Sequence, residues 1–424
     1  MYLKNLSWFA AEKVIKILSV FLTSILISRS LTVEDFGQYS FLTSIIMIML
    51  PVVMLGFDEF CYQKFITGKS EKFKSKLISN CISARLCLSF VILIAMFLFY
   101  LFIDIENIYL LLVLALQLPF SSFMIFQLDN NASLNSKVNA KINIISSVVF
   151  VTARLGLLYY NASIIDFIFI YVAETAFIAT LLLFTKRGVK LKASLDIKFI
   201  FMVLKRTFPL LISSLAIILY YKIDQIMLGF MVGYESVGIY AIQAQIVMAV
   251  NLILQILING TYPAWFRGGK INSELIVAIY KLSLLLSIVL LFFSYFLSET
   301  VITFLWGNHY IESSSLLSIT LLGTLFSGFG YISSKKLISL KLESYRMRRV
   351  VIGMIINIIL NLILIPLYGV YGAAISTVFS QIYSGFLGNY LSKKTRSVFF
   401  EQCKSLNILK LDEVFKLIKR LSHG

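Results

Sequence analysis

The 424-residue sequence predicts an all-α membrane protein: twelve transmembrane helices in two pseudo-symmetric six-helix lobes around a central cavity, with both termini cytoplasmic. Three observations predict it: apolar stretches long enough to cross a bilayer, an alternation of basic loops, and an internal repeat. Hydrophobic residues make up 59% of the chain and charged residues 14%, with a mean hydropathy of +0.89, against roughly half and a quarter in soluble domains. Runs of about twenty apolar residues span a hydrocarbon core of roughly 30 Å at about 1.5 Å per helical residue. In lipid each backbone group needs a partner within its own segment, which selects helices; the strands of a barrel would alternate over about ten residues, and this chain does not.

The spans read at 8–28, 37–57, 81–103, 108–128, 142–160, 164–184, 207–231, 237–258, 276–298, 313–334, 349–366 and 370–391. The first carries Glu12, Lys13 and Lys16 without a small-residue cleavage site, so it reads as a retained helix and not a signal peptide. With the termini and even-numbered loops taken as one side, that side holds 34 of the 38 Lys and Arg residues, in clusters such as Lys64–Lys76, Lys186–Arg206, Lys335–Arg349 and Lys393–Arg420. The opposite side has Arg29 alone, and its loops carry Glu34, Asp35, Asp104, Glu106, Asp166, Glu235, Glu299 and Glu312. The positive-inside rule makes the basic side cytoplasmic. The net charge of +17 is therefore a topology signal, and no nucleic-acid partner is expected. Cys61, Cys81, Cys87 and Cys403 fall at or near the cytoplasmic side, where thiols stay reduced, so no structural disulfide is expected.

Sliding the chain by 201 residues aligns Gly37, Tyr39, Ile45, Met47, Phe65, Gly68 and Lys69 with Gly238, Tyr240, Ile246, Met248, Phe266, Gly269 and Lys270. Each copy runs from a short outer loop through a span into a basic loop. The parse gives an N-terminal lobe, 1–184, a basic cytoplasmic linker, 185–206, a C-terminal lobe, 207–391, and a basic tail, 392–424. Six helices per half keep the halves in one orientation, and two such bundles enclosing a cavity are the architecture of a transporter. In the tail, Leu411, Val414, Phe415, Ile418 and Leu421 follow helical spacing among lysines, as in a helix lying on the cytoplasmic leaflet.

Ionisable side chains near the bilayer centre cost roughly 2.5–3.5 kcal/mol each on insertion scales and normally face a cavity or a partner. Four stand out: Arg154 in span five, Glu174 in span six, and Lys222 and Asp224 in span seven. Arg154 and Glu174 lie on antiparallel neighbours and form either a structural ion pair or part of a cavity lining. Lys222 and Asp224 are two residues apart and point to different faces of a helix, so at least one needs a partner elsewhere. Arg85 is shallower and is expected to snorkel to the cytoplasmic interface. Tyr159, Tyr160, Trp306 and Tyr310 outside and Trp8 and Trp265 inside read as an interfacial aromatic belt. Gly68, Lys69 and Ser70 resemble the end of a phosphate-binding loop, but Gln63 stands where its first glycine belongs, so no built-in ATPase is expected. With only His309 and His423 there is neither a His-based metal site nor a Ser-His triad, and no enzyme or cofactor is expected.

The stretch Ile27-Ser28-Arg29-Ser30-Leu31 followed by Phe36-Gly37-Gln38-Tyr39 resembles the opening of bacterial polysaccharide flippases. Asp224, Met227, Leu228 and Gly229, then Val237-Gly238-Ile239-Tyr240, resemble their seventh-to-eighth helix signature, and Leu305-Trp306-Gly307 with Tyr310 resembles their segment between helices nine and ten. Over essentially the full chain the sequence is similar to the Wzx-type O-antigen flippase family of the multidrug/oligosaccharidyl-lipid/polysaccharide export (MOP) superfamily. The resemblance implies transfer of an undecaprenyl-diphosphate-linked oligosaccharide repeat unit across the bacterial inner membrane by alternating access, coupled to a proton or sodium gradient. It implies a lipid-linked oligosaccharide as substrate, with membrane lipids and other polysaccharide assembly proteins as partners. It favours Arg154, Lys222 and Asp224 as cavity residues, with Glu174 beside them. The competing readings are a multidrug antiporter of the same superfamily, which wants a carboxylate-dominated cavity, and a membrane polysaccharide polymerase or ligase, which wants a larger outer loop than this chain has.

Overall fold

The computed structural model describes residues 2–67, 70–102, 108–160, 162–185, 195–262, 265 and 273–407, and every regular element among them is helical. Residues 186–194 of the expected linker and the helix expected over Leu411–Leu421 lie outside the described residues. The chain divides into two compact units, residues 1–222 and 223–424. Ten helices among the described residues are long and apolar enough to cross a membrane, and the protein is a multi-pass helical membrane protein.

The first unit contains α1 (Tyr2–Ser30), α2 (Val33–Met54), α3 (Phe57–Thr67) and α4 (Glu71–Phe102). A broken span follows, made of α5 (Ile108–Ala115), α6 (Gln117–Ser121), a 3-10 turn at Ser122–Met124 and α7 (Ile125–Ala132), then α8 (Ser136–Leu157), α9 (Ile164–Thr185) and most of α10 (Ile197–Met231). Here α1 packs along α8, α8 against α9, and α9 against α5 and α6. The second unit contains α11 (Tyr234–Thr261), α12 (Ser273–Leu305), α13 (Glu312–Ser339), α14 (Glu343–Tyr368), α15 (Val370–Gly385) and α16 (Arg396–Ser405), with α13 at its centre against α11, α12 and α15.

Helix occupies each predicted span, in several cases over a longer stretch, but α1 and α15 are not among the ten long and apolar enough to cross a membrane. α10 begins at Ile197, ahead of the predicted 207, and α12 covers Ser273–Leu305 where 276–298 is predicted. Hydropathy detects only the part of a helix inside hydrocarbon, whereas the backbone ladder continues as long as its own hydrogen bonds are met. The start of α10 is capped: Asp196 accepts a hydrogen bond from the Phe199 N–H at 3.1 Å and lies 3.1 Å from the Lys76 ammonium. These two contacts, the backbone one foremost, hold its carboxyl below the usual range.

Burial is inverted relative to a water-soluble protein. Ser44, Asn80, Ser89, Ser283, Ser287, Ser376 and Ser380 are fully buried, while Phe97, Phe292, Phe296 and Phe304 are more than half exposed. Lipid is as apolar as a phenylalanine ring, so helices associate through small and hydrogen-bonding residues and leave large apolar ones outside. Gly385, the last residue of α15, shows the same logic: a Cβ there would overlap the backbone carbonyl of Phe326 on α13.

Gly56 illustrates how local conformation and packing reinforce one another. α2 ends with Leu55 and Gly56 in the left-handed region, at φ 56° and 63°. A Cβ on Gly56 would stand 2.8 Å from the backbone nitrogen of Leu211 and 3.0 Å from the Thr207 carbonyl oxygen, so α10 crosses directly over this glycine. Thr207 then donates to the Leu55 carbonyl at 3.2 Å. Gly56→Ala combines left-handed strain of about 1–2 kcal/mol with a forced shift of α10. Its detergent-solubilised melting temperature is expected to fall by several degrees; an unchanged value would mean that α10 can move off the crossing without loss.

Candidate functional site

Along α8 the buried residues Ser136, Asn139, Asn143, Ser146, Phe150 and Arg154 recur every three or four positions, forming a polar stripe that ends on Arg154. Arg154 lies in the last turn of α8, where the helix macrodipole favours a cation. Its Nη2 donates to Glu174 Oε2 on α9 at 2.7 Å. The two groups differ in exposure: the Arg154 side chain is 1% exposed and that of Glu174 20%. Nε and Nη1 of Arg154, and the Ser146 hydroxyl, are buried and make no hydrogen bond among the described residues. The pair thus leaves a buried guanidinium with unused donors beside the Tyr39 and Tyr171 rings, which meet edge to face at 6.4 Å.

Asp224, in the second unit, is 4% exposed and sits in a dense polar cluster. Its Oδ1 accepts from Asn361 Nδ2 of α14 at 2.6 Å, and its Oδ2 accepts from Tyr240 of α11 at 2.7 Å and from Thr377 of α15. Asn357 lies one turn before Asn361, their amides 3.3 Å apart, and the Asn361 Oδ1 is buried without a hydrogen bond. The cluster continues along α11, where Gln243 accepts from Thr320 at 2.8 Å and Asn251 from Ser327 at 2.6 Å. Oxygen-rich and centred on a carboxylate, it can hold a proton or a small cation. Lys222 is half-buried on the same helix, two residues earlier and on the other side of the division between units.

The structure therefore joins Arg154 with Glu174 and surrounds Asp224 with neutral donors. Tyr240 carries a sequence signal through the repeat. Asn357, Asn361 and Thr377 carry no charge and so do not stand out within apolar spans as ionisable residues do. Two amides at i and i+4 in the apolar stretch Met354–Pro366 are a comparable signal, since amides too need partners in lipid.

Two expectations are corrected. Arg85 does not snorkel: it is fully buried, with Nη2 2.6 Å from Asp58 Oδ1 and 3.3 Å from the Met54 carbonyl. A carboxylate on α3 within reach outweighs escape to the interface. Trp265, Trp306 and Tyr310 are 0%, 2% and 1% exposed, so they fill protein interior, whereas Tyr159 and Tyr160 at 89% and 77% keep a belt-like exposure. A buried arginine that the span boundaries made cytoplasmic, Arg349, bonds Ser333, Ser334, Asn389 and the Gly330 carbonyl, and Asn389 bonds Gln402 of α16. Together with the Lys336–Glu401 ion pair, this network docks residues 387–405 onto the second unit.

No curated protein gives a significant sequence match. A structure described as Lipid II flippase MurJ in an inward closed conformation superposes with a TM-score of 0.76 at 17% identity, covering 97% of this chain and 92% of that one. An inward-facing multidrug resistance MATE family transporter of the MOP superfamily gives 0.67 at 12% identity over 91% and 95%, and a Vibrio cholerae MATE transporter in a bent form gives 0.57 at 11% over 95% and 97%. These likenesses identify the fold. The profile of the polysaccharide biosynthesis protein family matches residues 2–268, well over half of the chain, and the chain belongs to that family.

Proposed function

We propose that the protein is a flippase that moves an undecaprenyl-diphosphate-linked oligosaccharide repeat unit, of the O-antigen type, across the bacterial inner membrane by alternating access. The observation that carries the reading is the coincidence of family and fold: a polysaccharide biosynthesis protein over residues 2–268 has the fold of a lipid II flippase and of MATE transporters. The proposal includes twelve spans in two six-helix lobes, 1–184 and 207–391, and both termini in the cytoplasm.

In this reading Arg154, with two guanidinium nitrogens that make no hydrogen bond among the described residues, meets the substrate diphosphate, and Lys222 adds a second cation. Glu174 holds Arg154 in place between substrates. Asp224 and its oxygen-rich surroundings bind the coupling proton or sodium ion. A carboxylate cluster that gains a cation and a cationic site that gains a diphosphate are the two loads that alternating access would couple.

The test is a leaflet-resolved assay in vesicles holding the purified protein and a fluorescent polyprenyl-diphosphate oligosaccharide. We expect transfer between leaflets at a rate well above protein-free vesicles, and faster with an imposed proton or sodium gradient. No acceleration under either gradient, alongside export of a lipophilic cation, would favour the multidrug antiporter instead; that reading draws on the MATE likeness alone.

A further inference from the structure

We propose that a recess in the first unit, between the C-terminal end of α3 and the early turns of α10, binds the phosphate-bearing headgroup of a membrane lipid. The recess encloses about 300 Å³ and is lined by Phe60, Gln63, Lys64, Ile66, Thr67 and Arg206. This is the lower end of the size range of small-molecule sites.

Two cations converge there on one ring. Lys64 Nζ lies 5.8 Å and the Arg206 guanidinium carbon 5.7 Å from the centroid of the Phe60 ring. Neither forms an ion pair among the described residues. Of the two acidic residues just before Phe60, Asp58 is engaged by Arg85 at 2.6 Å and Glu59 is exposed. A single aromatic face attracts each cation but does not remove their mutual repulsion, whereas an anion shared by both does. The planar guanidinium fork and the ammonium suit phosphate oxygens, and Gln63 adds an amide.

The surroundings decide in favour of a lipid over a soluble phosphate. Ile66, on the rim of the recess, is 58% exposed, and along α10 Ile197, Phe201, Met202 and Phe208 are 70%, 67%, 61% and 53% exposed. These residues flank Lys205 and Arg206 in sequence, so cations and bare apolar side chains share the early turns of α10. Apolar side chains against acyl chains with cations at the phosphate level match the layering of a lipid leaflet. The inference concerns binding only and stands apart from the transport reading, because it uses none of Arg154, Glu174, Lys222 or Asp224.

The ligand chemistry, a lipid phosphate, has two sources: an anionic phospholipid or a polyprenyl diphosphate. The experiment is native mass spectrometry of the full-length protein in detergent, titrated separately with phosphatidylglycerol, undecaprenyl diphosphate, phosphatidylcholine and inorganic pyrophosphate. The Lys64→Gln/Arg206→Gln pair keeps the side-chain stems and removes both charges; Lys64→Arg/Arg206→Lys keeps the charges and controls for packing. We expect one anionic lipid to bind more tightly than phosphatidylcholine, the Gln pair to weaken it about tenfold or more, and the charge-preserving pair to retain it. The lipid with the larger loss identifies the source. Equal retention of both anionic lipids by the Gln pair would overturn the site, and pyrophosphate binding as tightly as the lipids would overturn its assignment to a lipid.

Discussion

Arg154→Ala is expected to abolish surface polysaccharide in cells lacking the native copy, while the protein remains in the membrane at near-normal amounts. The substitution removes the cation that is 1% exposed and leaves Glu174, at 20% exposure, without its partner. Breaking a fully buried ion pair costs about 3–5 kcal/mol, mostly as an uncompensated charge; the partial exposure of Glu174 reduces that here. Loss of function alone would fit either a structural pair or a substrate contact. The Arg154→Ala/Glu174→Ala variant separates them, since removing both charges leaves no unpaired ion. If the pair serves only structure, the double variant regains polysaccharide export. If Arg154 meets the diphosphate, the double variant stays inactive although its melting temperature recovers, and Arg154→Lys retains partial activity because a point charge replaces the fork. Full export by both Arg154→Ala and Lys222→Ala would end the assignment of cavity roles to these residues.

Asp224→Ala is expected to abolish export and also to lower stability, by roughly 2–4 kcal/mol, because Tyr240, Asn361 and Thr377 would lose the acceptor that they share. Asp224→Asn is the more telling variant. It keeps the volume and one carbonyl oxygen but removes the negative charge, so a purely structural cluster survives it with moderate loss of stability. A cation or proton site does not: export should fail, and the dependence of vesicle flipping on a sodium or proton gradient should disappear. Wild-type gradient dependence in Asp224→Asn would transfer the coupling role to another group. Asn361→Ala should act in the same direction with a smaller effect, since it removes one donor and the unengaged oxygen beside the carboxylate.

The helical spans are legible in the chain because the bilayer imposes one requirement on all of them. A segment of about twenty apolar residues must satisfy its own backbone within the segment, which leaves helix as its conformation. Membership of a polysaccharide family is legible as well, in Phe36-Gly37-Gln38-Tyr39 and in the stretch from Asp224 to Tyr240. The candidate charges were found for a related reason: Arg154, Glu174, Lys222 and Asp224 are conspicuous because lipid is a poor solvent for them.

Apart from the Arg154–Glu174 pair, which partner each polar group takes was not legible. Hydropathy depends on one segment at a time, whereas hydrogen bonding in lipid depends on residues far apart in the chain. Arg85 has the composition of a snorkelling residue until Asp58 comes within 2.6 Å of it. Trp306 and Tyr310 look interfacial until the second unit closes over them. Asn361 and Thr377, 137 and 153 residues beyond Asp224, become its ligands through the packing of α14 and α15. Each apolar span is committed to the membrane by its own surface, but the price of burying a polar group is settled by whichever neighbours the tertiary fold supplies.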